Sequence, residues 1–133
     1  MRVFLDANVL FSAAYGSPRL ETLWSVATAG GNELLVSAHV VEEARRNLTN
    51  PHHLARLDAL IGQTALVASA PPDLACPIDL PPGDREAFMA ALAARATHFL
   101  TGDTTHFGHY YGQSVGGVLI QTPGVFLLRR KRG

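Results

Sequence analysis

Two kinds of apolar pattern alternate along the chain. Short continuous runs read as strands covered on both faces: Val3-Phe4-Leu5, Leu34-Leu35-Val36, Leu66-Val67-Ala68, His98-Phe99-Leu100-Thr101 and Val118-Leu119-Ile120. Between them apolar residues recur at helical spacing. Asn8 to Ala14 reads as a short helix. Pro18 suits a first helical turn, and Leu20, Leu23, Trp24 and Ala27 follow it until Gly30-Gly31. Ser37 is placed to cap a helix over Ala38 to Leu48, and Asn50-Pro51 precedes another over His53 to Ile61. Pro71, Pro72, Pro77, Pro81 and Pro82 mark a long loop. Asp84 opens a helix to Arg95, and Phe126 to Leu128 reads as a last helical turn.

Strands alternating with helices predict an α/β fold in three α/β/α layers. Its central, mainly parallel sheet should hold about four or five strands joined by right-handed crossovers. The functional crevice of such a fold lies outside the carboxyl ends of its strands. Asp6 and Asp103 both follow strands directly, so that crevice can bring them together.

Helical phase then sorts the acids. At about 100° per residue, Val40, Val41, Ala44 and Leu48 share a face. Glu43 lies at the margin of that face and Glu42 points nearly opposite. In the later helix Asp84 lines up with Phe88, Ala91 and Leu92, whereas Glu86 points away. Each acid has a plainer alternative. Asp6 and Asp84 serve equally as N-caps, Glu43 as a solvated helix residue and Asp103 as a turn residue. Together, Asp6, Glu43, Asp84 and Asp103 sit where a crevice is expected.

Four crowded carboxylates repel one another, and a divalent, oxygen-seeking cation relieves that repulsion. Mg²⁺ or Mn²⁺ suits such a donor set, whereas a structural zinc site would want a Cys-His pattern. The cation can position water and polarise a phosphoryl oxygen. Asn8, with Ser12 one turn later, is placed to orient Asp6.

Composition narrows the picture. The 133 residues suit one domain, read as residues 1–128, followed by a basic tail over 129–133. The first 128 residues carry seven Lys and Arg against eleven Asp and Glu, which is not the footprint of a protein that coats DNA. The lone cysteine, Cys76, allows no internal disulfide and fits a reducing cytoplasm. No apolar run is long enough to span a membrane, and Met1-Arg2-Val3-Phe4 enters a strand pattern without a leader.

Other site chemistries lack their residues. A haloacid-dehalogenase-type phosphatase wants an Asp where Asn8 stands, and it shares with a phosphoacceptor receiver domain the need for a lysine. The only lysine here is Lys131. No Gly-rich turn follows the first strand.

The segments VFLDANVLFSA, VSAHVVEEARRNL, GDREAFMAALAARATHFLTGD and GVLIQTPGVFL resemble the PIN-domain nucleases in order and spacing, and the chain looks most like the compact prokaryotic VapC-like toxins. The resemblance implies an acidic site at Asp6, Glu43, Asp84 and Asp103, a polar contact at Asn8 and a hydroxyl role at Ser12. It also implies Mg²⁺- or Mn²⁺-dependent hydrolysis of RNA phosphodiesters by in-line attack of water. Asp6 and Asp103 are expected as the main metal ligands, with Glu43 and Asp84 holding a second ion or its waters. Expected partners are RNA, a cognate antitoxin and a second copy of the chain. Arg45, Arg46 and Arg85 either steer RNA phosphates or sit on solvated helix faces. The stretch DTTHFGHYYG departs from the family. Its His106 and His109 are open to contact with RNA or a metal, the plainer reading being ordinary loop histidines. A catalytically idle PIN-like module that binds RNA or a partner is the alternative function.

Overall fold

Phe99 sits in the middle of the core. Its ring stacks on Phe4 with centroids 5.6 Å apart, meets Phe88 edge-on at 5.5 Å and lies 5.0 Å from Phe107. These four rings come from both central strands and from helices packed against them. They are fully buried, and offset and edge-on pairings of this kind add to the stability of simple area burial.

The computed structural model describes residues 1–132. Strands β1 (Arg2–Leu5), β2 (Glu33–Ser37), β3 (Ala65–Val67), β4 (His98–Leu100), β5 (Ser114–Val115) and β6 (Val118–Gln121) form one sheet in the order β3-β2-β1-β4-β6-β5. All neighbours are parallel except β5 and β6. The helices are α1 (Ala7–Tyr15), α2 (Pro18–Thr28), α3 (Ala38–Arg46), α4 (Pro51–Ile61), α5 (Pro82–Ala93), α6 (Thr104–Phe107) and α7 (Pro123–Arg132). The architecture is the expected three-layer α/β/α fold.

The order of strands decides where a site can form. From β1 the chain steps outward to β2 and β3, then returns to place β4 on the other side of β1. The crevice therefore opens at the carboxyl ends of β1 and β4, where the direction of winding reverses. Asp6 and Asp103 follow these two strands.

Local chemistry explains most element ends. Asp6 caps α1 by accepting from the Ala7 amide at 2.9 Å. Gly16 closes that helix at φ 111°, a left-handed conformation that glycine adopts without penalty. Ser37 caps α3 and Asn50 caps α4, both through side-chain oxygens. The Trp24 indole donates to the Leu60 carbonyl at 3.0 Å, tying α2 to the end of α4.

Three expectations are corrected. The sheet has six strands, one more than the largest number expected, because β5 and β6 form a hairpin. Its two-residue turn, Gly116-Gly117, has φ of 58° and 86°, the doubly left-handed geometry of tight hairpins. Helix α5 begins at Pro82, not Asp84, with Pro81 at the cap position. Asp84 is thus a first-turn residue and not the N-cap. Finally, the basic run expected as a separate tail continues α7 through Arg132, while Gly133 lies outside the described residues. The Arg130 guanidinium packs 5.3 Å from the Phe126 ring centroid, and cations at a helix C-terminus are favoured by its dipole.

Candidate active site

Asp6, Asn8, Ser12, Glu43, Asp84 and Asp103 all line one cleft of about 730 Å³. The six positions come from four separate parts of the chain. Strand β1 delivers Asp6 and α1 carries Asn8 and Ser12. Helix α3 presents Glu43, α5 presents Asp84 in its first turn, and the turn after β4 presents Asp103. The helical phase distinguishes the acids of α3 as expected: Glu43 is half-buried in the cleft and Glu42 is exposed.

Asp6 is the most buried acid of the cleft, with only 3% of its surface exposed. Its Oδ2 accepts from the Thr101 hydroxyl at 2.8 Å and from Asn8 Nδ2 at 3.1 Å, while Oδ1 accepts from the Ala7 amide. Asn8 also receives the Gly102 amide on its own Oδ1 at 2.7 Å, so it fastens the loop after β4 to the start of α1. Thr101 is completely buried, and its hydroxyl is fully used. It donates to Asp6 and accepts from Asn8 Nδ2 and from the Asp103 amide, each at 3.1 Å.

Burial pushes the Asp6 carboxyl up to about 6. The Thr101 and Ala7 hydrogen bonds oppose that shift, and the negative charges of Asp84 and Glu43 add to it. Asp84 is also raised, first by burial and then by the charge of Asp103, with His106 acting in the opposite direction. The cleft thus disfavours its own negative charge. A bound divalent cation reverses that preference.

The donor set suits such an ion. The donors are mostly carboxylate oxygens, and the lone thiol, Cys76, lines a different pocket with Arg85 and Met89. One ligand atom each from Asp84, Asp103 and His106 lie within 4.8 Å of one another.

His106 is the addition that the sequence left open. Its Nδ1 stands 2.7 Å from Asp103 Oδ2 and 2.9 Å from Asp84 Oδ2. The hydrogen bond to Asp103 raises its pKa. His109 is exposed on the neighbouring 3-10 turn, Gly108–Tyr110, and its carbonyl accepts from Gln113 Nε2. The sequence pattern does not single out Thr101, which holds Asp6, or Asn47, which also lines the cleft. A hydroxyl at the end of a buried strand, two residues before an acid, was the available signal for Thr101. The three arginines lie apart from the cleft lining. Arg45 pairs with Asp58 at 2.8 Å, Arg46 is exposed, and Arg85 borders the proline-rich loop.

Among the described residues no helix is long and apolar enough to cross a membrane. No curated protein sequence matches the chain. Among solved structures, the fold is similar to a chain in the crystal structure of VapBC2 from Rickettsia felis bound to a DNA fragment from their promoter. That match has a TM-score of 0.67 and 11% identity, and covers 92% of this chain and 98% of the other. A family model described as PIN domain matches residues 2–105, from the first residue of β1 into α6 beyond Asp103. The chain therefore belongs to the PIN-domain family, whose members are generally nucleases.

Proposed function

We propose that the protein is a Mg²⁺- or Mn²⁺-dependent endoribonuclease that hydrolyses RNA phosphodiester bonds. The observation that carries this reading is the convergence of Asp6, Glu43, Asp84 and Asp103 on one cleft at the switch point of the sheet. A divalent cation supplies Lewis acidity toward the phosphoryl oxygens and lowers the pKa of water.

The chain's own residues prepare that chemistry. Asp6 and Asp103 are the main ligands in this reading, with Glu43 and Asp84 completing the acidic wall. Thr101 and Asn8 hold Asp6 Oδ2 in place before any ion arrives, so little reorganisation is left to binding. Ser12 lines the same cleft and is available to a phosphate oxygen. Gly83 and Gly102 also line the cleft.

The fold likeness to a chain of the VapBC2 complex supports a further reading, in which the protein is the toxin of a toxin–antitoxin pair. Its partners are then an antitoxin and a second copy of the chain, and its compartment the cytoplasm.

The test is cleavage of single-stranded RNA by the purified chain, with Mn²⁺ or Mg²⁺ and with excess chelator. Cutting should require the metal and disappear in Asp6→Asn. Undiminished cutting in chelator sinks the metal-dependent reading. RNA binding without cleavage in any metal favours the idle binding module instead.

A further inference from the structure

The two carboxylates of Asp84 and Asp103 converge on a single ring nitrogen. His106 Nδ1 lies 2.7 Å from one Oδ2 and 2.9 Å from the other. One N–H shared between the two oxygens would satisfy this arrangement, and so would a cation placed among the three atoms.

The spacing fits that role. An octahedral ion with bonds of about 2.1 Å separates adjacent ligand atoms by about 3.0 Å. The two nitrogen–oxygen separations are already close to that length, and all three atoms fall within 4.8 Å of one another. Local structure holds the ring there. Asp103 caps α6 by accepting the His106 amide on Oδ1 at 3.1 Å, which leaves Oδ2 turned toward the imidazole. Phe107, fully buried against Phe99, anchors the other end of α6. The loop that carries His106 is thus fixed by a cap on one side and by the core on the other.

We propose that His106 Nδ1 is a metal ligand alongside Asp84 and Asp103, and that it biases the centre toward transition-metal cations such as Mn²⁺ over Mg²⁺. Mg²⁺ takes oxygen ligands and keeps its waters, whereas a nitrogen donor is better tolerated by first-row transition ions. The inference rests on the metal-dependent reading of the same cleft. It adds a nitrogen to a donor set otherwise made of oxygens. The competing role for His106 is a hydrogen-bonded spacer between two carboxylates, displaced when an ion binds.

The test uses the full chain, stripped with chelator and reloaded with Mn²⁺. Electron spin-echo spectra of the wild type should show ¹⁴N modulation from a coordinated imidazole. His106→Gln should lose it, with Mn²⁺ affinity falling by about 10-fold or more and Mg²⁺ affinity little changed. The His106 side chain is 42% exposed, so the substitution disturbs little packing. A wild type that binds Mn²⁺ without ¹⁴N modulation overturns the inference, as does modulation that persists in His106→Gln or an unchanged preference between the ions. All three leave the metal-dependent reading standing. If Asp103→Asn alone binds Mn²⁺ as tightly as the wild type, the inference fails; if Asp6→Asn and Asp84→Asn do so as well, the ion is not in this cleft and the reading fails with it.

Discussion

The Thr101 hydroxyl donates to Asp6 Oδ2 at 2.8 Å, joining residues 95 positions apart in the chain. It links the end of β4 to the end of β1. It also places a neutral donor against the acid whose charge is most opposed by burial. Because the same hydroxyl accepts from Asn8 and from the Asp103 amide, one atom sets the relative positions of three residues that line or support the cleft.

Thr101→Val removes that donor while keeping the shape of the side chain. It should cost about 1–3 kcal/mol of stability, since Asp6 and the Asp103 amide each lose a partner. The Asp6 carboxyl should titrate higher still, because the Thr101 bond is the leading influence holding it down. Mn²⁺ affinity in the variant should therefore fall more steeply between pH 8 and pH 6 than in the wild type. Parallel affinity curves in both proteins would reduce Thr101 to a packing residue.

The raised pKa of Asp6, about 6 against an ordinary 3.8, fixes the sign of a pH effect. In the metal-free protein the charged form is disfavoured by folding, so above pH 6 Asp6 costs up to about 3 kcal/mol. That cost falls as pH drops from 6 toward 4, because the folded state takes up the proton first. Asp6→Asn keeps the acceptor and removes the charge. In chelator its melting temperature should exceed that of the wild type at pH 8, and the gap should close near pH 4. Thermal melts across that range decide the matter, and a gap that widens at low pH contradicts it.

Glu43 and Glu42 are adjacent in sequence and face different surroundings. Glu43→Gln should lower the rate of RNA cleavage by about 10- to 100-fold, the range seen when support for a metal site is removed. Glu42→Gln should leave it unchanged, since Glu42 is exposed outside the cleft lining. Single-turnover rates on a short RNA measure both. The reverse ranking would show that the phase of α3 does not govern the site.

In the proposed reading Asp103 has two jobs that a conservative change separates. Asp103→Asn retains an oxygen for the His106 amide, and so the cap of α6, but loses the charge. At 100 times its Kd, Mn²⁺ should stabilise the wild type by about 2.7 kcal/mol. The variant should melt no lower than wild type in chelator and respond far less to Mn²⁺. A full metal response in Asp103→Asn would leave Asp103 as a capping residue alone.

Much of this architecture is legible in local pattern. Val3-Phe4-Leu5 is continuously apolar because β1 lies between β2 and β4 at the centre of the sheet, covered on both faces. Glu43 could be told from Glu42 because a regular helix converts sequence spacing into direction, and Asp6 and Asp103 could be placed because strands end where they must. The proline-rich loop and the caps at Ser37 and Asn50 follow from backbone chemistry that acts within a few residues.

What only the tertiary structure decided lies where no period exists or where distant segments meet. Helix α6 has four residues, too few to show a helical phase, so nothing local aims His106 at Asp84. The Gly116-Gly117 turn was a readable hairpin signal, but β5 has only two residues and left no alternation to support it. Thr101 became visible as Asp6's partner only once the strand order set β4 beside β1. Sequence spacing constrains the direction of a side chain within its own element. Which elements become neighbours is decided by how the whole sheet winds, and the contacts of Asp6 with Thr101 and of His106 with Asp84 exist only at that level.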